Sequence, residues 1–400
     1  MDLKSGFPFS LIKNGLLHNY ASLKESGETE IVILGGGISG ALAAFYLTRA
    51  GLQCTVIDHR NIGLGSTCAS TSLLQYEIDV PLCKLKKMIG DRNAERAYHL
   101  CAQSIDTIKE IAELIGYDQF EYKSSLYYAA NKNDVSFLNE EFGARKKSGF
   151  DVSLLNAQEI KNQYGFNSTA AILSKLGGQV DAYTFTHALH QYNIQKGCRV
   201  FENTTIKKID HQKENVLLTT KDNLTINCRH LVYATGYETV NFIKKKIVNL
   251  HSTYVIVSPH DTIQENTQLD KTLIWNTDDP YLYMRTTQDG RLIVGGRDEP
   301  FYNPEKRDRL LDKKAAKLEQ DFNNLFPEIA FETEFKWTGT FGTTKDGLPF
   351  IGPYKKLPNS FFSLGFGGNG ITFSVIAAQI NCDIILGKLN PDREIFKFER

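Results

Sequence analysis

Paired cysteines, a long apolar run and an excess of either charge are all missing from this sequence. The seven cysteines are widely spaced and none stands in a Cys-x-x-Cys pair, which argues against a disulfide framework or a zinc site and is typical of a reducing compartment. Lysine plus arginine (46) balances aspartate plus glutamate (46), so no net field attracts nucleic acid or an anionic membrane. The most apolar windows, 31–47 and 371–386, are interrupted by glycine or polar residues and fall short of the roughly 20 residues that a membrane span needs.

Other familiar signals are missing as well. Residues 1–29 contain no continuous apolar core and no small-residue cleavage site, so we expect an arm lying on the body rather than a signal peptide, and a cytoplasmic protein. The nine histidines are scattered, and pairs such as His187 and His190 have no carboxylate companion, so no metal site is predicted. Neither a G-x-S-x-G elbow nor a P-loop occurs, which excludes serine hydrolases of that type and P-loop NTPases.

A glycine-rich turn lies near the N-terminus, between a strand signal and a helix signal. Residues 31–34 are typical of a parallel strand buried on both faces, and residues 41–50 are typical of a helix. Gly35, Gly37 and Gly40 satisfy G-x-G-x-x-G between them. The first glycine permits a tight turn, the second lets the backbone approach a pyrophosphate, and the third lets the helix pack on the strand. The start of the helix adds a partial positive charge.

A second strand, 53–57, completes this unit and ends at Asp58, about 20 residues after the turn, where a carboxylate can accept hydrogen bonds from ribose hydroxyls. A glycine turn alone is weak support, but strand, helix, second strand and acid in this order predict a dinucleotide site. The residues assigned to it are Gly35, Gly37, Ile38, Ser39, Gly40, Asp58, His59 and Arg60.

The later segments indicate which dinucleotide binds. Residues 63–72 are small and hydroxylic and, on composition alone, would be a plain polar loop. In its order of segments, however, the chain resembles the FAD-dependent family of D-amino-acid oxidase, glycine oxidase and sarcosine oxidase. Residues 73–79 resemble, more weakly, the branch with gamma-glutamylputrescine oxidoreductase. The segments that carry the resemblance are 63–72, 178–181, 231–236, 291–296, 344–352 and 365–371.

The resemblance implies a non-covalent FAD site, since no cysteine lies between Cys228 and Cys382, the part of the chain where one branch of the family attaches its flavin. The loop 367–370 opens a helix over 371–386, so its N–H groups and helix dipole would stabilise the reduced flavin, although an ordinary helix start has the same pattern. The further residues assigned to FAD are Gly65, Ser66, Thr67, Thr71, Ser72, Leu73, Ile206, Ala234, Thr235, Gly236, Gly367, Gly368, Asn369, Gly370, Ile371 and Thr372.

The fold implied is α/β: a Rossmann-like FAD-binding domain built from discontinuous segments, plus a smaller antiparallel-sheet (α+β) substrate domain. We assign residues 1–29 to an N-terminal arm. The FAD-binding domain would comprise residues 30–90, 150–245 and 340–400, and the substrate domain residues 91–149 and 246–339.

The expected substrate pocket departs from the family pattern. The carboxylate-binding arginines of glycine-oxidase-like members correspond here to Phe341 and Gly368, and the cations of the sarcosine-oxidase branch correspond to Ser72 and Thr372. Arg285 and Arg297 remain on strands expected to border the pocket, although inter-strand ion pairs would explain them equally well. Aromatic residues on these strands are either pocket walls or ordinary core. They are Tyr254, Trp275, Tyr281 and Tyr283; we assign the pocket to Tyr254, Tyr283, Arg285, Arg297 and Phe341.

The activity implied by the resemblance is oxidation of a C–N bond of an amine or amino acid by hydride transfer to flavin N5, followed by hydrolysis of the imine. The expected partners are that small-molecule substrate and oxygen or another electron acceptor. The missing arginines make a free α-amino acid a poor fit. Two alternatives stay open: a non-catalytic flavoprotein or subunit of an oxidoreductase assembly, and an NAD(P)-dependent dehydrogenase.

Overall fold

The computed structural model describes residues 1–243, 246–265 and 267–400, so the domain boundary predicted at residue 245 lies outside the described residues. The strands are β1 Lys4–Gly6, β2 Gly27–Leu34, β3 Cys54–Ile57, β4 Leu73–Leu74, β5 Glu121–Tyr128, β6 Val152–Asn156, β7 Ala170–Gln179, β8 Arg199–Phe201, β9 Ile206–His211, β10 Val216–Thr220, β11 Thr225–Tyr233, β12 Asn249–Val257, β13 Thr272–Asn276, β14 Tyr283–Thr286, β15 Leu292–Glu299, β16 Phe335–Thr343, β17 Phe350–Pro353 and β18 Ser360–Leu364.

The helices follow most of the predicted segments, with small shifts at their ends. They are α1 Phe9–Asn14, α2 Ile38–Arg49, α3 Leu82–Ile89, α4 Asp91–Ile115, α5 Val135–Lys147, α6 Ala157–Tyr164, α7 Ala182–Gln195, α8 Pro304–Arg309, α9 Leu311–Leu325, α10 Gly370–Ile385 and α11 Arg393–Phe396. The Asn156 side chain accepts the Glu159 N–H and starts α6. Only Leu310 separates α8 from α9, and α8 starts at Pro304 because Asn303 caps it and proline is favoured in the first turn.

The predicted nucleotide-binding unit forms the centre of an eight-stranded sheet. Its main order is β17-β18-β11-β2-β3-β8, with β9 and β10 extending from β11. Strand β2 pairs in parallel with both β3 and β11, which brings the carboxyl ends of all three strands to one edge. A ligand bound at that edge meets the loops after Leu34, Ile57 and Tyr233.

The second sheet has ten strands in the order β1-β16-β12-β15-β14-β13-β5-β7-β4, with β6 beside β7. Its pairs are antiparallel except β13 with β5. Strands β6 and β7 lie in the segment that the sequence analysis places with the FAD-binding domain, and β1 lies in the expected arm. Backbone pairing therefore groups these strands with the substrate-side sheet, since hydrogen bonding between strands does not follow chain order.

Helices α2, α4, α7 and α10 contribute to the largest buried cluster, which also includes residues of β5, β6, β7 and β13. Helix α10 packs on both α2 and α4, so one helical layer joins the two sheets. Among the described residues, no helix is both long and apolar enough to cross a membrane.

Candidate active site

A cavity of about 600 Å3 is lined by residues of both sheets. It takes in the loops after β2, β3 and β11, the hydroxylic segment 63–73, and the start of α10. Most of the cofactor residues proposed from the sequence line it. These are Gly35, Gly37, Ile38, Ser39, Asp58, His59, Arg60, Gly65, Ser66, Thr67, Thr71, Ser72, Leu73, Ile206, Ala234, Thr235, Gly236, Gly367, Gly368, Gly370 and Ile371.

The glycine turn brings three backbone segments together too closely for side chains. A Cβ at Gly40 would collide with the carbonyl oxygen of Gly35, which explains why Gly40 is needed although it lies behind the cavity rather than on its wall. Gly35 has φ +112°, and a Cβ there would collide with the carbonyl oxygen of Ala234. A Cβ at Gly37 would lie 2.7 Å from Oγ1 of Thr67. The turn thus exposes backbone to the cavity at the start of α2.

Asp58 ties this turn to the end of β3. Its Oδ2 accepts the Gly36 N–H at 2.7 Å and its Oδ1 accepts the Arg60 N–H at 2.9 Å. Burial raises the pKa of the Asp58 carboxyl, and these two N–H donors oppose that rise. Each carboxylate oxygen keeps acceptor capacity toward the cavity, which Asp58 lines.

Glu238 is a residue of this region that the sequence analysis misses. It accepts a two-pronged hydrogen bond from Arg60, with Nη1 at 2.9 Å and Nη2 at 3.0 Å from the two carboxylate oxygens. Burial raises the pKa of Glu238, but the bonds from Arg60 and the Met1 amine outweigh it and lower the pKa overall. His59 lies 3.5 Å from the Asp58 carboxylate. No local pattern marks Glu238, because its role depends on a partner 178 residues away.

The hydroxylic segment supplies both a structural and a free hydroxyl. Thr67 Oγ1 accepts the Ile38 N–H at 3.1 Å and so caps the first turn of α2. Ser66 lines the cavity, and its Oγ is buried and has no hydrogen-bond partner among the residues described. A buried hydroxyl without a partner is costly, so Ser66 is placed to bind a ligand.

The terminal glycine loop differs from the expectation that its N–H groups all point to the ligand. The Gly367 N–H donates to the Gly342 carbonyl at 3.0 Å, and the Gly368 N–H donates to Oδ2 of Asp79 at 3.0 Å. Gly370 and Ile371 lie in the first turn of α10 and line the cavity, so the N-terminus of this helix faces the cavity.

Asn369 and Thr372 do not line the cavity, contrary to the prediction, because both serve the loop itself. Asn369 Nδ2 donates to the carbonyl oxygens of Gln75 at 3.0 Å and Glu77 at 2.8 Å. Thr372 Oγ1 donates to the Asn369 carbonyl at 3.0 Å. These bonds fix the start of α10 against the segment after β4.

Three of the five predicted substrate residues lie outside the cavity. Tyr254 is fully buried on the other face of β12, because strand alternation turns its neighbours Thr253 and Val255 toward the cavity instead. Arg285 is buried beneath Thr71, where Nε donates to the Thr71 carbonyl and Nη1 to Oε1 of Gln179 at 3.2 Å.

Arg297 is the third of these residues. It points to solvent and pairs with Asp321, its Nε lying 2.6 Å from Oδ2. Tyr283 and Phe341 do line the cavity, as does Tyr281. Trp275 does not line it, and its ring stacks on Tyr127 with centroids 3.8 Å apart.

Two carboxyl groups near Tyr281 were not foreseen, one on the cavity wall and one next to it. Asp298 lines the cavity, and its Oδ1 is buried without a hydrogen-bond partner in the part of the chain that the structure describes. Burial raises the pKa of Asp298 to about 7. Burial also raises the pKa of Asp79, although the Gly368 N–H and the Tyr281 hydroxyl oppose the rise. Asp298 is the residue after Arg297. A strand register shifted by one residue would therefore have placed Asp298, rather than Arg297, on the cavity wall.

Comparison with known proteins decides the family. The family model described as "FAD dependent oxidoreductase" (DAO) matches residues 30–384. The chain belongs to this family. The prediction of an FAD-dependent oxidoreductase is therefore confirmed, and the NAD(P)-dependent alternative gives way to it.

The DAO-family chain is similar over nearly its whole length to several known proteins. It is 23% identical over 386 residues to gamma-glutamylputrescine oxidoreductase of Escherichia coli (strain K12), covering 92% of this chain and 86% of the relative. The structure of L-proline dehydrogenase from P. horikoshii superposes with a TM-score of 0.77 at 20% identity, covering 94% and 97% of the two chains. Glycine oxidase from Geobacillus kaustophilus gives 0.74 at 18% identity, covering 91% and 96%.

The residues present fit FAD. The glycine turn exposes backbone for a pyrophosphate, Asp58 offers acceptors for a ribose, and Ser66 offers an unpaired buried hydroxyl. The start of α10 supplies a second positive dipole end at the far side of the same cavity. Among the described residues, no group of His, Cys, Asp and Glu is arranged to hold a metal ion.

Proposed function

We propose that this DAO-family chain catalyses the FAD-dependent oxidation of a C–N bond in an amine or amino acid. One observation carries the proposal: a single cavity joins the dinucleotide-binding turn to an aromatic pocket formed by Tyr281, Tyr283 and Phe341. The names of the relatives, which include an oxidoreductase of gamma-glutamylputrescine and a glycine oxidase, support the choice of C–N bonds.

The chain itself binds the cofactor and the substrate, orients them, and excludes water from the cavity. FAD, when bound, supplies the hydride acceptor of the reaction. Residues around Gly35, Asp58, Ser66 and Ile371 would hold it. The aromatic side chains of Tyr281, Tyr283 and Phe341 exclude water and place the substrate, and no strong general base is required when the reacting amine is neutral.

Among the residues that the structure describes, none offers an arginine side chain to a carboxylate in the substrate pocket. Phe341 and Gly368 stand at the positions where glycine-oxidase-like members carry arginines, while Arg285 and Arg297 are both committed elsewhere. Glycine, sarcosine and D-alanine are therefore expected to be poor substrates. Amines, or N-substituted amino acids whose carboxylate is distant from the reacting nitrogen, are expected to be better ones.

We also propose that FAD is held non-covalently, that oxygen or another acceptor reoxidises it, and that the protein works in the cytoplasm without nucleic acid. The seven cysteines are free and buried, which suits a reducing compartment. Of these, Cys68 lies in the hydroxylic segment, where burial raises its pKa to about 11 and keeps it an unreactive thiol.

Absorbance and anaerobic reduction test the proposal. Purified protein should be yellow, and acid should release FAD into the supernatant. Mixing under anaerobic conditions with a panel of amines and amino acids should bleach the flavin with at least one amine, while low millimolar glycine or D-alanine should not. A flavin that stays with the acid-precipitated chain contradicts non-covalent binding, and no bleaching by any member of the panel contradicts the activity.

A further inference from the structure

The aromatic end of the cavity has one carboxyl group on its wall and a second next to it. Asp298 follows Gly296 and Arg297 on β15 and lines the cavity, and its Oδ1 is buried and has no hydrogen-bond partner among the described residues. An unpaired, buried carboxylate oxygen is costly in the absence of a donor. It is therefore the acceptor in this pocket most in need of a ligand.

Asp79 provides the second carboxyl group. Its Oδ2 accepts the Gly368 N–H at 3.0 Å, and its Oδ1 lies 3.4 Å from the Tyr281 hydroxyl. Both of these donors are neutral and burial raises the pKa of the Asp79 carboxyl, so a nearby cation would favour its ionised form. Asp79 and Asp298 are near enough that the charge of Asp79 adds to the raised pKa of Asp298.

Nearby cations do not neutralise this pair fully. Lys314 acts to lower the pKa of Asp298, but its Nζ donates to the Arg297 carbonyl at 2.8 Å and also to the Glu299 carboxylate. The Arg297 guanidinium is paired with Asp321 outside the cavity. Among the described residues that line the cavity, the lysine and arginine side chains belong to the dinucleotide end. They are Arg60 and Lys207.

We propose that Asp298, with Asp79 next to it, binds a second positively charged group of the substrate, so that the preferred substrate is a dicationic amine. Such a molecule carries one amine that is oxidised and a further ammonium group a few carbons away. The inference rests on the proposed function and specifies the substrate class of the same site. The ammonium would donate to Oδ1 of Asp298, and the rings of Tyr281 and Tyr283 add favourable cation–π contacts.

The pH dependence of binding supports the same assignment. Because burial raises the pKa of Asp298 to about 7, its anionic form is present above neutrality and is lost as the pH falls. Affinity for a dication should decrease from pH 8 to pH 6, while affinity for a monoamine should change less. The other groups that influence Asp298 are Asp79, Asp279, Lys314 and the hydroxyl of Thr253.

Three probes of equal length test the proposal: pentylamine, 1,5-diaminopentane and 5-aminopentanoate. They differ only in whether the distal end is neutral, positive or negative. Anaerobic calorimetry on the holoprotein, reduced beforehand with dithionite so that no turnover occurs, gives a Kd for each. The diamine should bind at least tenfold more tightly than either pentylamine or 5-aminopentanoate. Equal affinities, or tightest binding of 5-aminopentanoate, would overturn the proposal without any variant.

Variants of the two carboxyl groups then test which residues cause the preference for the diamine. Asp298→Asn and Asp79→Asn should each reduce diamine affinity about tenfold and leave pentylamine within twofold. Asp151→Asn removes an exposed carboxylate outside the cavity and is the matched control, with no expected change. Diamine affinity that is unchanged in both Asp298→Asn and Asp79→Asn contradicts the proposal. If the diamine still binds most tightly but no amine bleaches the flavin, only the proposed activity is contradicted. If an amine bleaches the flavin but the three probes bind equally well, only the dication site is contradicted.

Discussion

Arg145 donates from Nη1 to Oε1 of Glu77 at 3.1 Å, with the two side chains 0% and 1% exposed. The same guanidinium donates from Nε to Glu141 at 2.7 Å, so helix α5 is joined to the segment after β4 by a buried ion triad. The backbone carbonyl of Glu77 in turn accepts Asn369 Nδ2, which holds the start of α10. The triad therefore supports the terminal glycine loop, although Glu77 and Asn369 are 292 positions apart in the sequence.

Replacing Arg145 with Met should destabilise the fold by roughly 3–5 kcal/mol, because two buried carboxylates lose their partner. Urea unfolding measures the loss, and FAD retention should fall with it. Lys87→Met is the control, since Lys87 pairs with Glu140 at 2.7 Å on the surface and its removal should not shift the midpoint measurably. If the urea midpoint of Arg145→Met changes as little as that of the control, the ion triad contributes little to stability.

Replacing Asp58 with Ala should weaken FAD binding by about 1.5–3 kcal/mol, the range for hydrogen bonds to a charged group. Part of that loss comes from the turn, since the Gly36 N–H loses its acceptor. Asp58→Asn keeps one acceptor oxygen and should bind FAD with intermediate affinity. Fluorescence titration of the apoprotein gives the three constants, and parental affinity in Asp58→Ala would exclude Asp58 as a ligand of the cofactor.

Alanine substitutions at Gly367 and Gly370, the two ends of the terminal glycine loop, should have different effects on the stability of the fold. Gly367 has φ +56°, a conformation that costs a residue with a side chain roughly 1–2 kcal/mol, and a Cβ there would also collide with Oδ2 of Asp79. Gly367→Ala should therefore lower stability and displace Asp79. Gly370→Ala is the control, because its Cβ would lie 3.9 Å from the Phe366 Cβ, an ordinary contact. Equal urea midpoints and FAD contents for the two variants would contradict this difference.

His190 contacts the glycine turn and should make the stability of the fold depend on pH in the acid range. Its Nε2 lies 3.1 Å from the Gly36 carbonyl, and burial lowers its pKa from 6.5 to about 4. Between those values the unfolded chain binds a proton that the folded chain does not, so stability falls as the pH drops through this window. The loss from this residue is roughly 3 kcal/mol at most.

A His190→Gln variant isolates that contribution, because glutamine can donate to the same carbonyl without titrating. Urea unfolding at pH 7 and pH 4.5 should show a smaller loss in the variant than in the parent. Parallel pH profiles for the two proteins would mean that His190 does not titrate in this range.

Local sequence was sufficient wherever neighbours in the chain make the structure. The turn at Gly35, the acid Asp58 at the end of β3 and the cap at Asn156 were predictable because each depends on residues within one supersecondary unit. The order of such units along the chain was also enough to predict the FAD-dependent family, which the match over residues 30–384 confirms.

Tertiary structure alone decided which side chains of the second sheet meet the cavity. Strand β12 pairs with β15 across a register shift between Ser252 and Tyr254, and Arg297 opposite that shift has φ +57°. Regular alternation along the two strands therefore does not give the phase, that is, which side chains face the cavity. Shifting that phase by one residue exchanges Tyr254 for Thr253 and Arg297 for Asp298, which changes the pocket from cationic to acidic. Asp79 meets Gly368 across 289 positions of sequence. That contact exists only because α10 packs against both α2 and α4, a relationship between distant segments that no local pattern encodes.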